Sequence, residues 1–283
     1  SSKKNELMEV LEELIEGAVA GDPMGQRSNW CRRSTRSLSV DLKESGIAAC
    51  LNSVGKTLKD MNISLRCCRK SIAETNHPDR DQQFQIIAAT RERFADHGHP
   101  IISIDTKKRE LVGNFSNKGR CYRRQATETL VHDFRSNAIG VAIPYGVYDV
   151  LDNRGMVIVG TSCDTPEFAV DSVRIWLEQE GFAHYGTIRE LLILADSGGS
   201  NEASPRMWKH ELYHRICREL GIGITVCHYP SGASKWNPVE HRLFGPLTSN
   251  WAGEPLRSYE VILGFINSTL TQTGLTVRGA LND

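Results

Sequence analysis

Long apolar runs are missing from these 283 residues. Nothing approaches the roughly 18 consecutive apolar residues of a membrane span, and the N-terminus has no signal-peptide pattern, so a membrane partner is excluded. Paired cysteines are missing too. Cys31, Cys50, Cys67, Cys68, Cys121, Cys163, Cys217 and Cys227 include no C-x-x-C pair. Scattered through a chain that is 40% hydrophobic, they read as reduced thiols of a cytosolic protein, not as a disulfide framework or a structural zinc site. No internal repeat or low-complexity segment appears. Ser1 stands where a Met would, which leads us to expect a start that is missing or processed.

An excess of one charge is also absent, since 34 Lys and Arg balance 34 Asp and Glu. The distribution is uneven, however. Residues 27–76 hold ten Lys/Arg against four acids, and residues 105–124 hold seven against Asp105 and Glu110. Local surpluses of this kind serve phosphate contacts even where the total cancels; two solvated basic faces are the plain alternative.

Residues 3–19 read as an amphipathic helix with Leu7, Leu11, Leu14 and Ile15 at helical spacing, ended by Gly21-Asp22-Pro23. Ser37–Glu44, a Ser45-Gly46 turn and Asn52–Met61 then give a helix, a Gly-containing turn and a second helix, the pattern of a helix-turn-helix or of any αα-hairpin. On the first of these readings Asn52, Ser53 and Lys56 face the DNA major groove, and Arg33 adds a phosphate contact. Cys50 stands where a polar helix cap is usual. A basic linker ends at His77-Pro78, and Asp79 opens a helix to about Ala95 with Phe84, Ile87 and Ala88 inward.

From residue 101 the periodicity changes. IISID, residues 138–150 and MVIVG read as strands, the last two joined by a turn at Asp152-Asn153-Arg154-Gly155. A helix capped by Thr165 follows, then the strand LLILAD, a helix at Pro205–Leu220, a strand at Ile222–Cys227 and a helix at Pro238–Trp251. Strands first, then alternating helix and strand, predict an α/β fold: a mixed sheet with helices on both faces, behind a helical N-terminal region.

Two of the strands end in acids, Asp105 and Asp196, and Glu240 opens a helix in SKWNPVEH. Sites in α/β sheets assemble at strand ends. A pair of Mg²⁺ or Mn²⁺ ions needs several hard oxygen ligands, which carboxylates from separate elements supply. Taken singly each acid is an ordinary turn or cap residue; the order of the three along the strands and helices is far more specific.

That order is the order of ribonuclease-H-like nucleotidyl transferases. With HPDRDQQF, SIDTKKRELVGNF, ADSGGSN, SKWNPVEHRLF and TQTGLTVR, the chain resembles the Rhodopirellula-type DDE-domain transposases of bacterial insertion sequences over residues 30–280. The resemblance implies Asp105, Asp196 and Glu240 as catalytic and metal-holding residues, with two Mg²⁺ or Mn²⁺ ions. It also implies a helix-turn-helix, double-stranded DNA as partner, a homodimer in the DNA complex and work in the cytoplasm on the bacterial nucleoid. The expected organisation is a helical DNA-binding region at 1–76, a linker helix at 77–96 and a ribonuclease-H-like catalytic domain at 97–283. Departures from the family pattern are Ser197, where Gly commonly follows the second Asp, the run Glu202-Ala203-Ser204, and an end at Asp283 where the family generally continues.

Several smaller signals compete. His210-Glu211-Leu212-Tyr213-His214 matches the H-E-x-x-H of zinc hydrolases, with Glu240 available as third ligand. Against it, Trp208, Leu212 and Ile216 form the apolar stripe, which leaves His210 and His214 on the wet side. A catalytically inactive, domesticated DNA-binding protein is a further alternative, opposed by the intact triad. Lys107, Lys108, Lys235 and Trp236 are candidate DNA contacts by charge and stacking, and solvated lysines or a core tryptophan are the plain readings. His228 reads as structural. Gly198-Gly199 would let backbone approach the site closely.

Overall fold

A computed structural model of the chain describes residues 2–16, 19–20, 30–31, 33–66, 78–197 and 206–282. The readings at Gly21-Asp22-Pro23, in most of the 64–78 linker, at Gly198-Gly199, at Glu202-Ala203-Ser204 and at Pro205 lie outside the described residues. The chain divides into two compact units, Ser1–Ile72 and Ala73–Asp283.

In the first unit, α1 (Ser2–Glu16), α2 (Thr35–Glu44) and α3 (Leu51–Asp60) bury Leu11, Leu38, Leu42 and Val54 in a common core; β1 (Val19–Ala20) pairs with β2 (Trp30–Cys31). α2 begins two residues before the sequence reading. Ser34 caps it, accepting from the Ser37 amide at 3.1 Å in a capping box that satisfies two otherwise free donors. The turn after α2 puts Gly46 at φ +86°, a conformation glycine adopts without penalty. α3 has no side-chain cap at Cys50. Val54 and Thr57 face inward, which leaves Asn52, Ser53 and Lys56 exposed on the other side.

The described residues of the second unit form one seven-stranded sheet. Its members are β3 (Ile101–Thr106), β4 (Glu110–Val112), β5 (Gly140–Asp149), β6 (Arg154–Gly160), β7 (Glu190–Ala195), β8 (Gly223–His228) and β9 (Thr276–Asn282). The order is β8-β7-β3-β5-β6-β9, with β4 on β5. β3, β5 and β6 form an antiparallel meander, whereas β7 and β8 run parallel to β3.

Both faces are covered, which explains why the central strands read as continuous apolar runs. Ile102, Ile104, Leu191 and Ile193 face the cluster of α5 (Pro166–Trp176), α6 (Phe182–Tyr185) and α7 (Arg206–Leu212). Ile101, Leu192 and Leu194 face Ile87 and Phe94 of α4 (Arg80–Asp96). On that same side α8 (Gly245–Asn250) and α9 (Tyr259–Asn267) cover β5, β6 and β9. This is the expected mixed sheet with helices on both faces.

The structure differs from the sequence reading in several places. On α4, Ile87 packs inward against the seven-stranded sheet with Phe94, as Ile87 was read to do, but Ala88 is exposed instead of inward. The β5–β6 turn is Val150–Asn153, because pairing extends to Asp149↔Arg154; Asp149 accepts from the Leu151 amide at 3.1 Å and Asn153 sits at φ +52°. Among the described residues three helices widen into π turns, at Leu177–Gly181, Tyr213–Arg218 and Glu240–Phe244. The elements β4, α9 and β9 had no counterpart in the sequence reading. Among the described residues no helix is long and apolar enough to cross a membrane, and Cys50, Cys121, Cys163, Cys217 and Cys227 are free thiols.

One glycine sets how closely the helical stretch 238–250 approaches the sheet. Gly146 pairs with Asp105 across the β3–β5 ladder. A Cβ there would lie 2.6 Å from the Phe244 ring and 2.9 Å from Val239. Gly146→Ala should therefore overpack this contact and destabilise the unit by about 1–3 kcal/mol. Gly264→Ala is the control, since an added Cβ in exposed α9 meets nothing within 4 Å and should stabilise by roughly 0.5–1 kcal/mol. Urea midpoints of the two variants should move in opposite directions; a Gly146→Ala midpoint equal to the parent's would contradict the packing.

Candidate active site

Asp105 and Asp196 reach the same edge of the sheet for the same reason. β3 and β7 are parallel neighbours with Ile104 opposite Ala195. The next residue on each strand is the acid, so the two stand side by side at the carboxyl ends, with strands about 4.8 Å apart. Their local geometry is matched. Thr106 donates its amide to Asp105 Oδ1 at 2.8 Å, and Ser197 donates its amide to Asp196 Oδ1 at 2.7 Å. Each carboxylate is thereby turned back over its own strand end and half buried.

Glu240 comes from the opposite direction. Pro238 and Val239 begin a helical turn, and Glu240 opens the π turn Glu240–Phe244, whose Leu243 and Phe244 are buried against the sheet. Widened turns of this kind occur often at functional sites, because the extra residue re-aims a side chain. Here the Glu240 carboxyl comes within hydrogen-bonding reach of Asp105. Burial, first, and then the Glu240 hydrogen bond and charge push the Asp105 carboxyl up to about 8; Asp196 adds a smaller repulsion, and the Thr106 amide opposes the rise. Three acids separated by 91 and 44 residues are thus gathered at one end of the sheet.

The donor set is hard oxygen throughout, which suits Mg²⁺ or Mn²⁺. Two carboxyl groups keep a direct contact only with a proton or a cation between them, so the Asp105–Glu240 approach fits a cation site. The three do not yet surround one point: among the described residues no group of three His, Cys, Asp or Glu side chains is arranged to hold a metal ion. That includes His210 and His214. Their rings lie 4.2 Å apart, with the His210 side chain 60% exposed, while Trp208, Leu212 and Ile216 are buried as the stripe requires. Glu211 is paired with Arg215 at 2.6 Å.

A groove of about 670 Å³ leads away from Glu240 past Thr106, Lys108, Lys118 and Thr248. A second, of about 460 Å³, shares Lys107, Lys108, Lys118 and Thr248 and extends to Arg109 and Ser116. Lys118 was not singled out in the sequence. It is exposed, and its backbone is pinned beside the Glu240 helix by Gly253 N–H donating to Lys118 O at 3.0 Å and Asn117 Nδ2 donating to Trp251 O at 3.0 Å.

The other candidates divide. Lys108 is exposed at the groove. The Lys107 side chain is only 11% exposed, paired with Glu110 at 2.7 Å and 4.8 Å above the Trp251 ring, which commits it internally. Trp236 is 45% exposed, with Lys235 Nζ 4.0 Å and the Arg80 guanidinium 5.3 Å from its ring and Phe84 behind it at 5.5 Å. In the first unit Arg33 pairs with Asp41. Asp164, also missed in the sequence, accepts from the Thr106 hydroxyl at 3.1 Å. His228 is half buried, with the Trp208 ring edge-on at 5.8 Å.

A family model described as the Rhodopirellula transposase DDE domain matches residues 10–283. No curated protein matches the chain. Among solved structures the chain is similar to the Mos1 transposase paired-end complex with left transposon end, at 12% identity and a TM-score of 0.48, covering 90% of this chain and 68% of that one. For the Mos1 strand transfer complex the values are 13%, 0.49, 90% and 67%. For the Mos1 mariner paired-end complex with Mn they are 15%, 0.47, 92% and 68%.

The raised Asp105 carboxyl has a consequence for stability. In the unfolded chain an aspartate titrates near 4; in the fold Asp105 keeps its proton to about 8. Between those values the folded state binds the extra proton, so stability from this group is full below about pH 4 and is lost as pH rises to about 8. In chelator-treated protein Asp105→Asn should flatten this fall and raise the urea midpoint at pH 8. An unchanged pH slope in Asp105→Asn would mean that the carboxyl is not held protonated.

Proposed function

The chain belongs to the Rhodopirellula transposase DDE domain family, and from that membership we propose that it binds the ends of an insertion sequence and catalyses DNA cleavage and strand transfer. The observation that carries the reading is the placement of Asp105 and Asp196 at adjacent strand ends with Glu240 beside Asp105, next to a groove with exposed lysines. Asp105, Asp196 and Glu240 would hold two divalent cations, Mg²⁺ or Mn²⁺, which supply charge neutralisation at the attacking and leaving oxygens of a phosphodiester.

The chain's own residues account for the rest. Lys108 and Lys118 are placed to take the phosphates of a strand lying in the groove, where each contact contributes affinity without reading sequence. Trp236, flanked by Lys235 and Arg80, offers a cationic stacking surface for a base near the cut. Lys107 supports the groove wall through Glu110 and Trp251. The Thr106 and Ser197 amides hold the two aspartate carboxylates in place, so that the site is oriented before DNA arrives.

Recognition of the element ends is assigned to the region 1–76, read as a helix-turn-helix, with Asn52 and Ser53 of α3 on bases and Lys56 on a phosphate, Arg33 being engaged with Asp41. The common exposed face of Asn52, Ser53 and Lys56 supports this. Pairing of two element ends calls for two copies of the chain, one on each.

Nicking and end-binding assays test the proposal. Asp105→Ala, Asp196→Ala and Glu240→Ala should each reduce Mn²⁺-dependent nicking of end DNA by about 10⁴-fold or more, and combining them should cost little further, because they act as one unit. End binding in gel shifts should survive. Near-parental cutting by Glu240→Ala alone would remove it from the trio. Asn52→Ala and Ser53→Ala should each relax end specificity by about 1–3 kcal/mol, and Lys56→Ala should weaken binding to all sequences and flatten its salt dependence. Full end binding after deletion of residues 1–76 would refute the recognition assignment.

A further inference from the structure

We propose that Ser103 and Asn237 are positioning residues that set the spacing of the Asp105 and Glu240 carboxylates, and with it the site's affinity for divalent cations. The inference rests on the reading of Asp105, Asp196 and Glu240 as the metal-holding trio.

Both side chains are completely buried. Beside and before Ser103 on that face of β3 and β7 the side chains are apolar, Ile101, Leu192 and Leu194, so packing alone would be met by an aliphatic residue. A buried hydroxyl and a buried amide are retained only where their hydrogen bonds are satisfied. Here they satisfy one another across the gap between strand and helix. The Ser103 hydroxyl donates to Asn237 Oδ1 and accepts from the Val239 amide at 3.1 Å. Asn237 Nδ2 donates to Ile104 O at 3.2 Å. These three bonds join segments 133 to 136 residues apart in the chain.

Their location gives them their role. Ser103 and Ile104 lie two and one residues before Asp105, and Asn237 and Val239 three and one before Glu240. The first amides of a helix have no partner within it. Asn237 is of the type that caps a helix with its own side chain, yet its amide is turned to the strand, and Ser103 receives the Val239 amide in its place. Asn237 O in turn accepts the Glu240 amide at 3.2 Å. The helix start is therefore fastened to the strand that carries the first aspartate, within three residues of each carboxylate. Two anionic groups repel when both ionise, and a clamp this close opposes their separation. Groups that orient ligands from behind typically change metal affinity or activity by roughly 10–100-fold when removed.

The test is a Mn²⁺ titration of the full chain without DNA, read by the loss of the free-ion electron paramagnetic resonance signal, alongside urea unfolding. The parent should bind Mn²⁺ in a manner abolished by Asp105→Ala. Ser103→Ala and Asn237→Ala should each raise the half-saturating Mn²⁺ concentration about tenfold or more, and the double variant should be no weaker than the poorer single one, because the two side chains act together. Ser103→Thr keeps the hydroxyl and should bind as the parent does; if the alanine variants do not fold, this variant decides, and a tenfold shift in it would overturn the proposal. Parental Mn²⁺ binding in any folded variant lacking the hydroxyl or the amide would overturn it too, leaving the proposed function standing. Absence of Asp105-dependent Mn²⁺ binding in the parent would defeat that function and this inference together.

Discussion

Like charges gathered in a half-buried cleft repel, and most of the second unit can be understood as the framework that resists that repulsion. Asp105 and Asp196 lie on adjacent parallel strands whose ladder fixes their level. Glu240 arrives on a helical stretch seated against Gly146 and Gly155, where side chains at those positions would collide with Phe244, Val239 and Leu243. Burial and the Glu240 contact raise the Asp105 carboxyl, so some fold stability is given up to hold the acids together. Function and stability oppose one another at this end of the sheet, as is common where ionisable groups are packed for chemistry.

The basic residues show a similar division of labour. A chain with no net charge has to concentrate its cations if it is to hold an anionic polymer. Not all of them are available for this. Arg33 is engaged with Asp41, and Lys107 with Glu110 and the Trp251 ring. Lys108 and Lys118 stand exposed at the groove. The local surplus counted along the sequence therefore overstates what any one surface presents, because some of the cations are structural.

What the sequence reveals follows from the range of the forces involved. Central strands covered on both sides must be apolar throughout, so IISID and LLILAD stand out, each with an acid where the burial ends. The Trp208, Leu212 and Ile216 stripe was legible because helical spacing is local, and it separates His210 and His214 from the core. Interactions over long separations were not legible. Ser103 in the first strand gives no sign of the Asn237 that meets it 134 residues on. β9 was missed because TVRGALN lies at the sheet's edge, half exposed and without a strong apolar run, and pairs in parallel with the distant β6. Lys107 resembled a free strand-end lysine until Trp251 was brought above it.

The π turn at Glu240–Phe244 carries a constraint on how this helix can change over time. Such a turn holds one residue more than an α-helical turn, and each residue of a helix advances the next by about 100°. Loss of a single residue between 240 and 244 would restore regular winding and leave the helix locally more comfortable. It would also swing Glu240 about a quarter-turn away from Asp105, while Leu243 and Phe244 kept their seats in the core. Substitutions along the outer face of the helix should therefore disturb the Glu240–Asp105 contact far less than a one-residue insertion or deletion within it. The irregular winding acts as a ratchet on length: the shorter, better-wound helix lies one deletion away, and taking that step would disconnect the third acid from the first.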